Sequence, residues 1–352
     1  MPKHQMPMKT WKCGRFDLPL GRKTYVMGII NATPDSFSGD GTWNGGEAKA
    51  LEIALAKAER MVEEGADILD IGGESTRPGA LAVSPEEELR RVLPLVKLLV
   101  ARLEVPISVD TTKSQVARAC LDAGVSIIND ISGGTFDARL LPAIAASDCG
   151  VILMHLRGTP QTMKASAAFR DAPNAGERDL KTSPDVSPGA RETPVVCDVI
   201  AEIKEFWAAR VRVAQEAGIA TGRIVLDAGF GFGKSVEENL EILRRGRELS
   251  DFGFPTLSAI SRKSTLARVL AQAQQPEAQQ PEAQQQAQRE AQVSDVAPAD
   301  VASCAAATDE RLWATAAGVA LAIAGGCDIV RVHDVREMVQ VARLADAATR
   351  VP

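Results

Sequence analysis

Two pairs of polar side chains stand two residues apart, each at the end of an apolar run. Arg331 and His333 form one pair, and Ser261 and Lys263 form the other. Residues i and i+2 of a β-strand share a face, so we expect the members of each pair to point together. Arg offers a bidentate fork to phosphate oxygens, and His adds a donor. The first pair therefore predicts an anion site.

Three further residues suit a phosphorylated substrate. Thr76 and Arg77 lie among glycines and a proline, and they add a hydroxyl and a second guanidinium. Asn31 ends another apolar run, and its side chain supplies a neutral oxygen. Mg²⁺ accepts such an oxygen beside phosphate oxygens and water. We therefore predict Mg²⁺ as the cofactor, with Asn31 as its protein ligand.

A second group of strand-end residues consists of Asp110, Asn129, Asp227 and Lys263. Together they offer alternating donors and acceptors, which suit the edge of a flat heterocycle. Taken singly, a strand-end Asp is often only a helix N-cap, and GFGFGK (229–234) lacks the spacing of a phosphate-binding loop. The joint pattern predicts a Mg²⁺-assisted enzyme that acts on a diphosphate ester of a flat heterocycle.

Eight short apolar runs must position these side chains. The runs cover residues 24–31, 68–73, 107–111, 127–131, 151–156, 224–229, 256–261 and 329–334. They are almost continuously apolar, which is typical of strands buried on both faces in a parallel sheet. Segments with helical spacing separate them, including one predicted helix over 235–249.

The alternation of strands and helices predicts an α/β fold, a single (β/α)8 TIM barrel. A doubly wound open sheet is the alternative, because alternation alone does not prove closure. Two observations favour the barrel. The strand count suits it, and polar residues follow nearly every strand, whereas an open sheet concentrates them at one switch point.

Composition excludes several classes of protein. The chain has 352 residues and a net charge of −6, which leaves no basic excess for nucleic acid or an anionic membrane. The small-residue run 314–326 is too short to span a bilayer. The N-terminus has no apolar run of signal-peptide length, and the six cysteines lack CxxC spacing. We expect a cytoplasmic protein with reduced thiols.

Two segments have too little apolar content to build a core. Residues 164–195 are rich in Ala, Pro, Asp, Arg and Ser, and residues 271–306 begin with a Gln-rich stretch that contains a tandem PEAQQ. We interpret both as solvated, low-complexity insertions within one domain that spans 1–352.

Eight motifs at the predicted strand ends resemble those of the dihydropteroate synthase family. They are MGIINATPDSFSGDG (27–41), DIGGESTRPGA (70–80), SVDTTK (108–113), IINDISGG (127–134), MHLRGTPQTM (154–163), DAGFGFGK (227–234), SRKS (261–264) and RVHD (331–334). The resemblance implies a transferase of folate biosynthesis. Such enzymes condense 6-hydroxymethyl-7,8-dihydropterin diphosphate with p-aminobenzoate to give 7,8-dihydropteroate and diphosphate.

The resemblance also implies roles for residues at matching positions. The pterin-binding positions are Asp110, Asn129, Asp227 and Lys263, with Met154 and Phe230 as walls. The diphosphate and Mg²⁺ positions are Asn31, Thr76, Arg331 and His333. The p-aminobenzoate positions, which sulfonamides also occupy, are Phe37, Arg77, Pro78, Ser261 and Lys263. The catalytic set would be Asp110, Lys263, Arg331 and His333.

The chain departs from the family pattern at Ala32, at Gly39-Asp40, at Ala228 and at the two insertions. The family also implies a homodimer built on its last helices. A methyltransferase pterin domain is an alternative that shares the pterin-reading Asp and Asn, but it has no reason for the motifs at 261–264 and 331–334. A non-catalytic binding or regulatory paralogue is the third hypothesis, although no catalytic position is substituted.

Overall fold

The computed structural model describes residues 10–32, 46–77, 80–163, 198–274 and 308–350. The predicted insertion at 164–195 lies outside the described residues, and so does most of the one at 271–306. A helix that ends at Gln274 includes the first four residues of the second predicted insertion.

A short antiparallel hairpin precedes a closed barrel of parallel strands. The hairpin pairs β1 (Thr10–Cys13) with β2 (Phe16–Pro19). The barrel strands are β3 (Tyr25–Asn31), β4 (Ile68–Gly72), β5 (Ile107–Asp110), β6 (Ile127–Asp130), β7 (Gly150–Met154), β8 (Ile224–Asp227), β9 (Thr256–Ser258) and β10 (Ile329–Val332). They pair in sequence order, and β10 closes on β3. The predicted barrel is confirmed, and the open sheet is excluded.

Helices separate the strands and cover the outside of the barrel. They are α1 (Gly46–Glu63), α2 (Pro85–Arg102), α3 (Ser114–Asp122), α4 (Leu140–Ala145), α5 (Val199–Glu216), α6 (Val236–Arg244), α7 (Gly246–Ser250), α8 (Ser264–Gln274), α9 (Thr308–Ala324) and α10 (Val335–Thr349). None of those in the described ranges is long and apolar enough to cross a membrane.

The single helix that we predicted over 235–249 is wrong, because the structure has two helices, α6 and α7. A capping box starts α6: the Ser235 side chain accepts from the backbone of Glu238, whose carboxylate accepts from Ser235 N. Arg245 then leaves helical geometry, with φ −106° and ψ 22°. Its guanidinium binds Glu248, three residues later, and also Asp198 at the start of α5. The distant partner, Asp198, is not visible in a local pattern.

Strand register brings the polar residues to one rim. Asp110 pairs with Asn129 on the next strand, and Met154 pairs with Asp227. Asn31 lies beside Gly72 at the end of β3. Because the strands are parallel, their carboxyl ends share one end of the barrel, where active sites of this architecture lie. We call this end the mouth.

Apolar side chains fill the opposite end of the barrel, and the hairpin closes it. Trp11 is fully buried against the inward-facing residues, and its indole N–H donates to the Arg223 carbonyl at 3.0 Å. A Cβ added to Gly150 would lie 2.9 Å from Trp11 Nε1, so only Gly fits there without a shift. The sequence analysis missed this hairpin, because its two strands have only four residues each.

We expect Trp11→Ala to lower the free energy of unfolding by about 3–5 kcal/mol, the usual cost of emptying a large aromatic site in a core. Denaturant unfolding of the variant measures the loss. Phe136→Ala is the control, because that ring is 45% exposed, and it should change stability by less than about 1 kcal/mol. Equal losses in the two variants would contradict the role of Trp11 as a plug.

Candidate functional site

Arg331 lies at the centre of a buried polar cluster in the mouth. Its Nε donates to Asp70 Oδ2 at 2.6 Å, and its Nη2 donates to Asp110 Oδ2 at 3.0 Å. Asn129 Nδ2 donates to the same oxygen of Asp70 at 3.1 Å. The cluster therefore joins β10, β4, β5 and β6. It contains Arg331, which we predicted to bind the diphosphate, and Asp110 and Asn129, which we predicted to bind the heterocycle.

Asp70 is the member of this cluster that sequence reasoning missed. Its side chain is fully buried, and Oδ1 has no hydrogen-bond partner in the described structure. A signal was present, because Asp70 is the one charged residue in the otherwise apolar strand ILDIG. A carboxylate in such a strand requires a buried cationic or donor partner, and Arg331 and Asn129 are those partners.

The electrostatics of the mouth follow from burial. Burial raises the pKa of Asp110 from 3.8 to about 7, while Arg331 opposes the rise and Asp70 adds to it. Burial likewise raises the pKa of Asp227, and it lowers the pKa of Lys263 to about 8 against the attraction of Asp227. The mouth thus holds groups whose protonation changes near neutral pH.

Asp227 ends β8, and the loop that follows carries Phe232. Asp227 Oδ1 accepts from Gly229 N at 2.7 Å, and its backbone carbonyl accepts from His155 N at 2.9 Å. Lys263 Nζ lies 3.8 Å from the centroid of the Phe232 ring. Met154 packs in the same small apolar cluster as Phe232, so these residues share one side of the mouth.

Phe230, which the resemblance implied as a wall, lies elsewhere in the structure. It packs in the core between the barrel and its helices, with Ala228 and Ile242 in the same cluster. The reason is the backbone: Gly229 and Gly231 have φ of +65° and +80°, so the side chains do not alternate as they would in a strand. Phe232, two residues later, is the phenylalanine that packs with Met154.

Ser261 and His333 meet where the loops after β9 and β10 come together. Ser261 Oγ lies 3.1 Å from His333 Nδ1, and the same oxygen accepts from His333 N at 3.2 Å. Burial, with Arg262 and Arg331 nearby, lowers the pKa of His333 to about 3. His333 is therefore neutral at physiological pH in the ligand-free protein. The Ser261 hydroxyl is buried against this ring.

Arg262 locks the same two loops together. Its φ of 59° is in the left-handed region, which is unusual for a residue other than Gly. Its backbone N–H donates to Thr315 Oγ1 at 3.2 Å, and its guanidinium holds Asp334 through both carboxylate oxygens. Strain of this kind occurs where the surroundings over-determine the backbone, and here the contacts with Thr315 and Asp334 do so.

The loop after β4 is held by charged residues that the sequence analysis did not name. Lys113 contacts the carboxylates of both Glu74 and Glu88, and Glu74 Oε1 accepts from Val83 N at 2.9 Å. This loop carries Thr76, which is half-buried, and Arg77, which is exposed.

Three predicted positions complete the comparison with the sequence analysis. Asn31 is half-buried at the end of β3, on the same rim as the cluster around Arg331. Phe37 and Pro78 lie outside the described residues. Within the described ranges, no three His, Cys, Asp or Glu side chains come together as a metal site.

The mouth thus brings fixed cations, buried carboxylates and an amide together at the carboxyl ends of the strands. A family model described as "Pterin binding enzyme" matches residues 27–333, so the chain belongs to the pterin binding enzymes. The dihydropteroate synthase of Synechocystis sp. is 40% identical over 330 residues, which are 94% of this chain and 92% of that protein.

Two solved structures share the fold. One is a dihydropteroate synthase of Xanthomonas albilineans with 4-aminobenzoic acid, at 34% identity and a TM-score of 0.72, covering 98% of this chain and 100% of that one. The other, from Burkholderia cenocepacia, is complexed with 7,8-dihydropteroate, at 35% identity and a TM-score of 0.68, covering 97% and 96%. Within the pterin binding enzymes, the chain therefore belongs to the dihydropteroate synthase family, a group of transferases of folate biosynthesis.

We expect the ionisation of Asp110 to lower the stability of the ligand-free protein as the pH rises from about 4 to about 7. Asp110 has a folded pKa of about 7 against an ordinary value of 3.8, so the folded state retains a proton in that window that the unfolded state has lost. Asp110→Asn should remove this part of the fall.

Thermal melts of both proteins between pH 5 and pH 8 measure the effect. The difference in Tm between wild type and variant isolates Asp110, because Asp130, whose pKa is raised by burial to about 6, titrates in both. A difference that does not change with pH would show that Asp110 is ionised throughout.

Proposed function

We propose that the mouth of this barrel binds the pterin diphosphate through two adjoining groups of side chains. Asp110, Asn129, Asp227 and Lys263 would read the pterin edge, between Met154 and Phe232. Arg331, His333 and Thr76 would hold the diphosphate. The observation that carries the proposal is the central position of Arg331, which contacts Asp110 at 3.0 Å and lies on β10 two residues before His333.

The second substrate, p-aminobenzoate, would bind at the outer side of this site. Lys263 lies over the Phe232 ring, so its ammonium borders both substrates. Arg77 is exposed on the loop after β4 and suits the carboxylate of p-aminobenzoate. Phe37 and Pro78 are the other positions that we propose, together with Ser261, whose buried hydroxyl would act through His333.

The proposed reaction breaks the C–O bond between the pterin methylene and the diphosphate. The electron pair leaves with the diphosphate, and the amine of p-aminobenzoate forms the new C–N bond and then loses a proton. Arg331, His333 and Thr76 stabilise the departing anion, and the ionised Asp110 favours positive charge on the pterin. The aryl amine is neutral at pH 7, so placement and electrostatics supply most of the catalysis.

Mg²⁺ is the proposed cofactor, with Asn31 as its ligand. The amide oxygen of Asn31 is on the correct rim, and Mg²⁺ usually needs only one or two protein oxygens beside substrate phosphates and water. The half-buried Asn31 fits that requirement. When bound, the ion would neutralise charge on the diphosphate.

The enzyme assay combines pterin diphosphate, p-aminobenzoate and Mg²⁺ and follows dihydropteroate. A matched reaction with a chelator in place of Mg²⁺ tests the cofactor. Product without Mg²⁺ would remove the metal from the proposal, and no product under either condition would overturn the assignment of the site.

We expect His333→Ala and Arg331→Ala to weaken binding of the pterin diphosphate far more than binding of the same pterin without diphosphate. A hydrogen bond to a charged group is worth about 1.5–3 kcal/mol, or roughly 10- to 150-fold in affinity. Calorimetry on the folded variants measures both ligands. Asp227→Asn is the control, because it should weaken the two ligands equally. If each of the three variants lost the same affinity for both ligands, the assignment of separate pterin-binding and diphosphate-binding groups would be contradicted.

A homodimer through α9 and α10 is also part of the proposal, as is a cytoplasmic location. These two helices pack against each other and expose large apolar side chains: Trp313 is 76% exposed, Leu321 53% and Leu344 74%. Such side chains on neighbouring helices indicate a contact surface. The four cysteines in the described residues, Cys13, Cys120, Cys149 and Cys327, are free thiols, as in a reducing compartment.

We expect Leu344→Glu to convert a dimer of the wild-type protein to a monomer, because an unpaired charge would be buried at the interface. Light scattering coupled to size-exclusion chromatography gives the mass. Leu81→Glu makes the same change at a side chain that is 87% exposed on the loop after β4, and it should leave the mass unchanged. A monomeric wild type, or a dimer that survives Leu344→Glu, would exclude this surface.

A further inference from the structure

Lys234 buries its ammonium next to the mouth without an ion-pair partner among its contacts. The residue is 3% exposed. Its Nζ donates to three backbone carbonyls, those of Gly229 at 2.9 Å, Phe232 at 3.2 Å and His155 at 3.3 Å. A buried charge is costly unless its donors are satisfied, and here all three donors of the ammonium meet an oxygen.

The backbone of the loop around this ammonium lies very close to the backbone of the neighbouring loop. Gly229 and Gly233 have φ of +65° and +66°, which glycine adopts readily. A Cβ on Gly229 would lie 1.9 Å from the His155 carbonyl oxygen, and one on Gly233 would lie 2.5 Å from the Arg157 carbonyl oxygen. The loop after β8 is therefore pressed against the chain after β7, with its carbonyls turned toward Lys234.

Each of the three carbonyls belongs to a segment that carries a pterin-facing side chain. His155 follows Met154 directly. Gly229, whose N–H holds the Asp227 carboxylate at 2.7 Å, is two residues after Asp227. Phe232 is itself the ring below Lys263.

The diphosphate end of the mouth is held by other contacts. Arg331 is fixed by Asp70 and Asp110, and His333 is fixed by Ser261. The Lys234 ammonium donates no hydrogen bond to any of these three partners. Loss of Lys234 should therefore disturb one half of the mouth and spare the other.

We propose that Lys234 is a positioning residue for the pterin half of the site, whose ammonium holds Met154, Asp227 and Phe232 in place by binding the backbone of all three segments. It touches neither substrate. This role rests on the proposed binding of the pterin at these residues.

Burial also changes the charge state that such a group can hold. Burial, with a further contribution from Arg157, lowers the pKa of Lys234 to about 7, while Asp227, Glu202 and Glu238 oppose the fall. These three carboxylates lie on β8, α5 and α6, and their negative charge favours the protonated ammonium.

Lys234→Met is the principal test, because it keeps the length of the side chain and removes its charge and donors. Calorimetry at a temperature where the variant is folded compares 6-hydroxymethyl-7,8-dihydropterin with inorganic diphosphate. We expect the affinity for the pterin to fall by ~10-fold or more, as for the loss of hydrogen bonds to a charged group. The affinity for diphosphate should stay within about twofold of the wild type, because a substitution has little effect on a distant site with which it shares no contacts.

Two controls separate positioning from a general loss of stability. Lys204→Met makes the same chemical change at a side chain that is 33% exposed on α5, and it should bind both ligands as the wild type does. Trp11→Ala destabilises the opposite end of the barrel, and its folded fraction should also bind the pterin normally. A pterin-selective loss in Lys234→Met alone supports the proposal.

The outcomes that overturn it are distinct. Normal pterin affinity in folded Lys234→Met, or equal loss of both ligands, excludes the positioning role while leaving the proposed function intact. A wild type that does not bind the pterin refutes the proposed function, and the role of Lys234 with it.

If Lys234→Met does not fold, Lys234→Gln replaces it, because an amide retains two donors without the charge. We expect a smaller loss that is again selective for the pterin, and an unselective loss would contradict the proposal. A double-mutant cycle with Asp227→Asn gives the mechanism: if Lys234 acts through Asp227, the two losses of pterin affinity are less than additive.

Discussion

The site depends on one buried guanidinium. Arg331 extends from β10 between Asp70 and Asp110, which belong to two other strands, and Asn129 completes the group from a third. Taking these charges out of water is costly, and only close mutual contacts offset the cost. The barrel must therefore close with its strands in one register, because a shift of a single residue would leave a charge unpaired. Under the proposed function, an anionic substrate would meet a cation that is already oriented.

One end of the barrel contributes mainly to stability, and the other end carries the polar residues of the candidate site. Trp11 and the apolar residues around it fill the end where the strands begin, and there the Trp11 indole and the Tyr25 hydroxyl each donate to a backbone carbonyl. The mouth, by contrast, contains a left-handed Arg262 and a carboxylate with an unsatisfied oxygen. Such features cost stability, and the packed end can offset them because both ends share the same strands.

Cations at the mouth join its loops to one another. Lys113 anchors the loop after β4 through Glu74, and Arg262 joins the last two loops through Asp334. Lys234 does the same for the loop after β8, but it uses backbone carbonyls in place of carboxylates. In each case a cation positions segments that are distant in the sequence, and the side chains that face the substrates are held indirectly.

The sequence by itself determined the eight strands, the barrel and the rim on which the polar residues lie. Strand burial produces continuous apolar runs, and parallel strands bring their carboxyl ends to one side of the sheet. Both features can be read from each strand by itself, without knowledge of contacts between distant residues. The family motifs added the prediction that the site contains Asp110, Asn129, Asp227, Lys263, Arg331 and His333. Only the tertiary structure decided that Asp70 holds Arg331, that Phe232 rather than Phe230 faces Met154, that Arg245 interrupts a helix and that Trp11 closes the barrel. Each of these depends on a partner far away in the chain or on a glycine backbone with positive φ, and neither a period nor a motif contains that information.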